Sequence, residues 1–442
     1  MTATSDNPTT PATEETRSPL RIANFRAYWI ARLSMTLGQY AMMLIIGWQT
    51  YNIARDAGLG VAEASGQLAL IGLLQFVPLF LLTPFSGLAA DRFDRRNLAR
   101  LTVLLQIGCG AALALLTWFD AIDLHWLFII AVVLGIVRAF NGPALSALAP
   151  NLVPKSILPN AIALSSISWQ SGMIVGPAIG GYLYAIRPAL PYAVATGLFV
   201  LALVFLSFIG KVPQPPREAN RRPIGQMVDG LKYVVRNKMV FGAITLDLFA
   251  VFLAGATALF PVYARDVLQV GETGLAQLAM APAIGAALTA LWFSFRPLKT
   301  QVGPTMLWAV AVFGAATIAF GLSKSMPLSL AALFVVGAAD MFSVYIRQSL
   351  IQLHTPDDKR GRVSSVSLLT ISASNEFGDF FSGSLASAFG PVFAVVSGGA
   401  GAIVTVALWS RVFPVLRTTR TFDPPDELIE ETPEEKLQER IP

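Results

Sequence analysis

Charge, cysteine and histidine are all scarce in this chain. Charged residues make up 13% of the 442 residues, about half of the fraction that is usual for a soluble protein. The single cysteine, Cys109, excludes an internal disulfide and a thiolate metal cluster. With two histidines and no metal-ligand spacing, phosphate-binding loop or dinucleotide-binding loop, the sequence disfavours an enzyme, and we expect neither a metal nor a cofactor.

Long apolar runs dominate instead. Hydrophobic residues make up 54% of the chain, and the mean hydropathy is +0.60. Runs of about 20 apolar residues recur, which is the length that a helix needs to cross a bilayer. They lack the alternation of barrel strands, so an all-α membrane protein is expected. The sequence predicts twelve transmembrane helices, near residues 26–52, 65–90, 97–119, 125–149, 160–185, 190–210, 239–263, 273–296, 302–323, 327–352, 363–389 and 391–413.

The basic residues predict how these spans are oriented. Of the 32 lysines and arginines, four lie in odd-numbered loops, three lie within spans, and the other 25 lie in even-numbered loops and the tails. By the positive-inside rule both termini are cytoplasmic, in a multi-pass protein of a bacterial inner (plasma) membrane. The surplus of positive charge therefore reports topology, and we expect no nucleic-acid partner.

We expect five segments along the chain. They are a disordered cytoplasmic N-tail (1–23), a first six-helix bundle (24–210), a cytoplasmic linker (211–238), a second six-helix bundle (239–413) and an acidic cytoplasmic tail (414–442). A shift of 202 residues aligns spans 4 and 5 with spans 10 and 11 without a gap, which predicts two pseudo-symmetric bundles. Three aligned pairs differ in chemistry: Arg138 with Asp340, Ile174 with Glu376, and Pro177 with Asp379.

Seven ionisable residues fall inside the predicted spans. Each costs about 2.5–3.5 kcal/mol to insert, so we expect them to face the interior and to pair. Anchoring or gate pairing explains those near the cytoplasmic ends as well as transport does: Arg32, Asp247 and Arg347. Four lie deeper: Arg138, Asp340, Glu376 and Asp379.

The deeper carboxylates are candidates for proton coupling. Glu376 and Asp379 are three residues apart on one helical face, and two carboxylates so close in a poorly solvated site favour protonation of one of them. We expect Glu376 to carry the proton, with Asp340 as the next candidate and Asp379 as a modulator, and we include Asp247 in this set. The alternative is a fixed salt-bridge network in which Arg138 neutralises Asp340.

The loop after span 2 carries a sequence motif, Gly-Leu-Ala-Ala-Asp-Arg-Phe-Asp-Arg-Arg. An ordinary basic loop would also satisfy the positive-inside rule. The motif resembles the loop between helices 2 and 3 of the major facilitator superfamily, Gly-x-x-x-Asp-Arg-x-x-Arg-Arg/Lys. In that family the aspartate holds the cytoplasmic gate by contacting the start of span 11. The resemblance implies gate roles for Gly87, Asp91, Arg92, Arg95, Arg96 and Arg362.

A second motif lies in span 5, where small residues recur around a proline. Such residues let helices approach closely, and proline kinks a helix. The arrangement of Gly172, Gly176, Pro177, Gly180 and Gly181 is similar to the antiporter signature of exporters. Ala163 departs from the longer pattern, which has glycine there. The resemblance implies export.

Further segments narrow the resemblance. Asp94 and the stretches 141–150 and 355–363 are similar to the transmembrane secretion effector branch, which includes enterobactin exporters and macrolide efflux proteins. In the superfamily, spans 1, 4, 7 and 10 line a central cavity. The resemblance therefore implies a cavity that includes Arg32, Arg138, Asp247 and Asp340, and we add Gln39, Asn375, Phe140 and Phe342 as candidate lining residues.

Together these features imply a secondary active transporter that exports a small amphipathic molecule in exchange for protons. A drug, a siderophore or a lipophilic metabolite would suit, and we expect a monomer in the lipid bilayer. Two alternatives stay open. One is a uniporter or lipid flippase of the same fold, in which the acids are structural, and the other is a non-transporting membrane sensor or assembly factor.

Overall fold

Long helices account for nearly all of the chain that is described. The computed structural model describes residues 18–92, 94–154, 157–210 and 223–423. Within these ranges we label the long helices α1 (Ala23–Asp56), α2 (Val61–Arg92), α3 (Arg95–Trp118), α4 (Leu124–Leu148), α5 (Leu158–Ile186), α6 (Leu190–Phe208), α7 (Lys238–Ala254), α8 (Gly271–Phe295), α9 (Val302–Leu322), α10 (Met326–Leu353), α11 (Asp357–Phe389) and α12 (Pro391–Val412). Two shorter helices are the linker helix (Pro223–Arg236) and the terminal helix (Pro414–Thr418). These ranges contain no strand, so the predicted all-α architecture is confirmed.

Ten of the membrane helices are long and apolar enough to cross a bilayer. The other two, α5 and α11, are 29 and 33 residues long but more polar. Loops after odd-numbered helices lie at one end of the molecule, which we call the odd-loop end, and those after even-numbered helices lie at the even-loop end. Contacts between the end of α1 and the segment that leads into α8, and between the ends of α3 and α5, join elements of the odd-loop end.

Short polar side chains fix where several helices begin. Asp94 precedes α3 and accepts a hydrogen bond from the Arg96 backbone N–H at 2.9 Å. Asp123 caps α4 and Asn237 caps α7 in the same way. The first N–H groups of a helix have no partner inside it, so these caps stabilise helix starts at the ends of the bundles.

The helix α7 is continued by irregular backbone. A 3-10 turn (Thr257–Leu259), one helical turn (Phe260–Val262) and a π turn (Tyr263–Val267) lead toward α8. Pro261 lies in the middle of this run, and a proline lacks the N–H that a continuous helix needs. The whole run Lys238–Val267 is still long and apolar enough to span.

Large side chains fill the first bundle, where α1, α3, α4 and α6 meet. Phe25, Tyr192 and Phe199 are fully buried there. A polar link is buried with them, because Tyr192 donates a hydrogen bond to Gln49 (2.8 Å), which in turn donates to Thr117 (3.2 Å). The polar groups are therefore satisfied inside the bundle, as burial requires.

The second bundle has its own core around α7, α9, α10 and α12. Met306, Ile346 and Leu350 are fully buried in it. The backbone N–H groups of Val302 and Gly303 donate to the carbonyls of Arg420 and Thr419. Residues 414–423, which the sequence assigns to the acidic tail, thus pack against the start of α9.

Two helix pairs join the bundles. The helix α5 packs against α8, and α11 packs against α2. A Cβ on Gly181 would lie 2.5 Å from the Cβ of Ala276, and one on Gly383 would lie 2.8 Å from that of Ala69. Only glycine allows these approaches, so each bundle reaches the other through a glycine of α5 or α11.

Candidate functional site

A small recess opens inside the first bundle. It is lined by Gln39, Met42, Met43, Ile46, Gln75, Gln106, Leu134 and Arg138, and has room for a functional group of one or two heavy atoms. Arg138 donates a hydrogen bond to Gln75 at 3.3 Å. The Oε1 atom of Gln106 is buried and has no hydrogen-bond partner among the described residues. The recess therefore combines a guanidinium and amide groups with apolar walls.

A second recess lies in the other bundle, with the opposite charge. Its lining residues are Asp247, Ala250, Val251, Val310, Phe313, Ala339, Asp340 and Ser343. The first recess draws on α1, α2, α3 and α4, and the second on α7, α9 and α10, which are the equivalents of α1, α3 and α4. Asp340 is half-buried, and among the described residues no ion pair joins it to Arg138 or to any other group. The salt bridge between Arg138 and Asp340, one of the sequence-based alternatives, is therefore not formed in this structure.

The two aspartates of this recess differ in their partners. Asp247 forms an ion pair with Arg347, and their side chains are 7% and 3% exposed. Asp247 and Arg347 are therefore buried inside the second bundle and paired with each other. A buried pair of this kind is a fixed structural link, because separating it would leave an uncompensated charge.

The acidic positions of α11 are only partly described. The side chain of Glu376, the first candidate for the proton carrier, lies outside the described residues. Asp379 is half-buried and accepts a hydrogen bond from Thr257 at 3.1 Å, across to the irregular segment after α7. Asn375, one turn away, is exposed.

An aromatic row runs beside these positions, from α2 to α7. The ring centres of Phe76 and Phe252 each lie 5.4 Å from that of Phe377, on either side of it. Phe377 is 40% exposed. The row thus presents flat apolar surface next to Asp379, at the junction of the two bundles.

The remaining cavity candidates have different surroundings. Arg32 donates to the hydroxyl of Tyr28 at 2.8 Å, and that hydroxyl donates to the Leu145 carbonyl, so Arg32 supports the packing of α1 on α4. Phe342 lies between Trp292 and Phe293 of α8, with ring centres 5.8 and 4.7 Å away, and does not line the Asp340 recess. Phe140 is half-buried and lines neither recess.

The gate motif spans the end of α2 and the start of α3. The side chains of Gly87, Asp91 and Arg92 lie outside the described residues. Arg96 forms an ion pair with Asp94 at 2.6 Å and donates to the Ile209 carbonyl at the end of α6. That ion pair holds the pKa of the Asp94 carboxyl below its usual range.

Three further arginines near the gate motif belong to different bundles, two to the first and one to the second. Arg95 is the first residue of α3, and Arg100, one turn after Arg96, donates to the Leu206 carbonyl near the end of α6 at 3.0 Å. Cations at a helix C-terminus are stabilising, so Arg96 and Arg100 brace the first bundle itself. Arg362 lies in the first turns of α11, where its backbone contacts Gly230 of the linker helix.

The glycines of α5 serve helix packing. A Cβ on Gly172, Gly176 or Gly180 would lie within 2.9 Å of α1 atoms of Thr36, Tyr40 or Ala41, and Gly181 faces α8. Pro177 is buried inside the helix. The motif therefore lets α5 contact its own bundle and the opposite bundle at once.

A charged cluster that the sequence reasoning missed closes the odd-loop end. Arg55 pairs with Asp266 at 2.9 Å, and Arg265 pairs with Asp56 at 2.6 Å, so the end of α1 and the π turn that precedes α8 exchange ion pairs across the bundles. Tyr51 also donates to Asp266 at 2.5 Å. The signal was available: Ala-Arg-Asp occurs at 54–56 and again at 264–266. We call these four charged residues the exchange cluster.

The fold and its two oppositely charged recesses define a membrane transport protein of the major facilitator type, not an enzyme. More narrowly, the chain belongs to the transmembrane secretion effector family, whose sequence profile matches residues 14–440. The resemblance read from the loop and span motifs is thereby confirmed.

Named relatives agree with this family. Over 339 residues the chain is 27% identical to the multidrug efflux pump Tap of Mycobacterium tuberculosis, covering 74% of this chain and 80% of the relative. It is 26% identical over 413 residues to the enterobactin exporter EntS of Escherichia coli, covering 90% and 94%. Among solved structures, a bacterial homologue of the lysosomal transporter Spinster superposes with a TM-score of 0.65 at 18% identity, covering 92% and 99%, which supports the fold.

Proposed function

We propose that this protein exports a small amphipathic molecule by alternating access, driven by protons that move in the opposite direction. Export is supported by the relatives, one described as a multidrug efflux pump and the other as an enterobactin exporter. The single observation that carries the coupling is Asp340, which lines a mostly apolar recess and forms no ion pair among the described residues.

The distribution of basic residues among the loops supports the proposed orientation in the membrane. We assign the even-loop end, both termini and the linker to the cytoplasm of a bacterial inner membrane, and we keep the two bundles at 24–210 and 239–413. The exchange cluster then closes the periplasmic side. In this conformation cargo reaches the central cavity from the cytoplasm.

Proton coupling follows from the contrast between the two aspartates. The charge of Asp247 is already compensated by Arg347. A carboxylate at Asp340 has no such compensation, and a charge is costly between apolar walls, so a neutral acid is the favoured form when the recess is closed. The proton is bound when the recess opens to one side and released when it opens to the other. Glu376 and Asp379 on α11 stay candidates to relay it.

Cargo contacts are proposed on the opposite wall and on the aromatic row. Arg138 and Gln39 would hold a polar or acidic oxygen of the molecule. Phe76, Phe252 and Phe377 would contact its apolar part, since aromatic faces stack on flat ligands. This combination of groups fits an amphipathic cargo better than a sugar, which would need more hydrogen-bond partners.

The test is transport by the purified full chain in proteoliposomes. Ethidium and enterobactin serve as probes, with and without an imposed pH gradient. We expect Asp340→Asn to reduce gradient-driven flux at least tenfold while leaving the protein folded. Ser343→Ala, which changes the same recess without removing a charge, is the matched control and should stay within twofold of the unmodified protein.

Two outcomes would overturn the coupling. One is gradient-driven flux that Asp340→Asn leaves unchanged. The other is flux that persists when the pH gradient is collapsed, which would assign the protein to facilitated export without protons.

A further inference from the structure

The linker helix has one face that is fixed on the second bundle. Tyr233 donates a hydrogen bond to the carbonyl of His354 at 2.8 Å, and the Lys359 ammonium lies 5.2 Å from the centre of the Tyr233 ring. Val234 is 2% exposed and packs in a cluster with Val240, Ile351, Val363 and Val366. This face therefore rests on the junction between α10 and α11.

A close backbone approach completes that contact. A Cβ on Gly230 would lie 2.9 Å from the carbonyl oxygen of Arg362, in the first turns of α11. Arg362 was assigned to the gate from the sequence. The linker helix is thus packed directly against the segment that the gate motif is expected to engage.

The opposite face of the helix is apolar and uncovered. Val228, Leu231 and Val235 are 39%, 50% and 54% exposed. With 3.6 residues per turn they form one stripe, because they are spaced by three and four residues. The helix ends at Arg236, and α7 enters the membrane two residues later. The stripe therefore lies at the level of the membrane surface.

Positive charge flanks the stripe. Lys232 and Arg236 are exposed and lie beside it around the helix, and Lys238 follows at the start of α7. In the sequence, the segment 211–238 has seven basic residues and two acidic ones. An apolar stripe with a basic flank is the pattern of helices that lie in the plane of a membrane surface.

We propose that the linker helix binds the anionic phospholipids of the cytoplasmic leaflet, with its apolar stripe among the acyl chains and its basic flank on the headgroup phosphates. Charge selects this occupant, because a polybasic segment beside an apolar surface is attracted to anionic lipid and gains little from a neutral bilayer. The face of the helix that packs on the second bundle transmits the effect of lipid binding to α11. Lipid that holds the helix at the surface also holds it against the start of α11, so membrane charge stabilises one position of that segment. The proposal does not depend on the cargo or on proton coupling.

The experiment reads the environment of the stripe directly. Cys109 is the only cysteine and is buried, so Cys109→Ala combined with Leu231→Cys gives one site for an environment-sensitive fluorophore. The full-length protein is placed in phosphatidylcholine vesicles with 0–30 mol% phosphatidylglycerol. We expect a blue shift, and quenching by doxyl-labelled lipid, that grow with the phosphatidylglycerol fraction.

Matched variants test the charge. Each basic residue removed should weaken attraction to the anionic surface about fivefold. Lys232→Gln with Arg236→Gln should therefore weaken the attraction about 25-fold and keep the signal below half of that of the unmodified protein up to 30 mol% phosphatidylglycerol. The control is Arg187→Gln with Lys324→Gln, two exposed positions at the odd-loop end, which should leave the titration unchanged.

Several results would overturn the proposal. The fluorophore could report water at every lipid composition, which would mean that lipid does not cover the stripe. The titration could also be unaffected by the Lys232→Gln and Arg236→Gln pair, or equally affected by the control pair. A failure of proton-coupled export would leave this fluorescence readout untouched.

Discussion

The helices α5 and α11 occupy equivalent places in the two bundles, and they share their packing but not their chemistry. The shift of 202 residues places Gly176 on Gly378 and Gly181 on Gly383. Gly176 lies against α1 and Gly378 against α7, each within its own bundle. Gly181 and Gly383 face α8 and α2 of the opposite bundle.

Polar and charged side chains occur at positions where the two bundles carry different residues. Pro177 is buried in α5, whereas Asp379 of α11 accepts a hydrogen bond from Thr257. The recesses repeat the contrast, since Arg138 lines one and Asp340 the other. Close helix packing constrains the shared glycines, because a Cβ on Gly176, Gly181 or Gly383 would clash and one on Gly378 would lie only 3.2 Å from a carbonyl oxygen of α7. The other positions were free to take opposite charges, and those charges give the two halves different roles in the proposed cycle.

The largest expected effect is a difference in stability between variants of the two aspartates of one recess. Asp247→Asn leaves Arg347 buried without a countercharge, which costs about 3–5 kcal/mol of unfolding free energy. Asp340→Asn removes no ion pair that the described residues form and should cost much less. Thermal unfolding of the purified protein in detergent measures both. Similar losses of stability for the two variants would mean that Asp340 also has a structural partner.

The second prediction tests the equivalence of the bundle contacts. Gly181→Leu and Gly383→Leu each force a side chain into a backbone contact, and overpacking of this kind costs about 1–3 kcal/mol. Both should shift the population toward opening at the odd-loop end. Distances between spin labels at the end of α1 and at the π turn before α8 measure this opening. Gly108→Leu, where a Cβ would meet nothing within 4 Å, is the control. Opposite shifts for the two variants would break the equivalence.

The third prediction ranks the two halves of the exchange cluster. Arg55 and Asp266 are 26% and 20% exposed, whereas Asp56 is 68% exposed. Asp266→Asn should therefore weaken closure by about 1.5 kcal/mol, because it also weakens the hydrogen bond from Tyr51. Asp56→Asn should change it by at most about 0.5 kcal/mol. The same spin-label distances report closure.

Swapping the two charges of the Arg55–Asp266 pair is the control for the third prediction. Combining Arg55→Asp with Asp266→Arg should restore most of the closure that Asp266→Asn loses. A double variant that opens as far as Arg55→Asp alone would show that the ion pair does not hold this end.

The smallest expected effect is the difference in stability between variants at equivalent positions of two loops. Asp94 caps α3 in the first bundle, whereas Gln301 precedes α9 with a left-handed φ of 58° and no side-chain cap. Asp94→Ala should cost about 1 kcal/mol of unfolding free energy, and Gln301→Ala less than about 0.5 kcal/mol. Thermal unfolding compares the two variants, and equal losses would mean that the cap contributes nothing.

The pH dependence of this cap follows from the sign of its pKa shift. Folding lowers the pKa of Asp94 through the Arg96 ion pair. The cap therefore contributes its stability above the unfolded pKa of about 3.9, and the contribution is lost as the pH falls through the lower folded value. Unfolding measured from pH 7 downward should show the difference between Asp94 and its alanine variant shrinking with acid.

Much of the fold could be predicted, and less of the site. Apolar run lengths give the helices, and the Gly-Pro motif marks the helix that joins the bundles. Composition does not say that Asp247 and Arg347 pair with each other, because nothing local relates residues 100 positions apart. Phe342 stays a candidate cavity residue, and composition does not show that its ring contacts Trp292 and Phe293 of α8.

The sequence alone determined that this chain forms long apolar helices, and it predicts which face of the bilayer the basic loops prefer, since both follow from the free energy of transferring each segment into lipid. Tertiary structure decided which charges meet. Arg55 and Asp266 are 211 residues apart, and they become neighbours only because two six-helix bundles pack around glycines. That packing compensates Asp247 with Arg347, whereas Asp340 of the same recess forms no ion pair among the described residues.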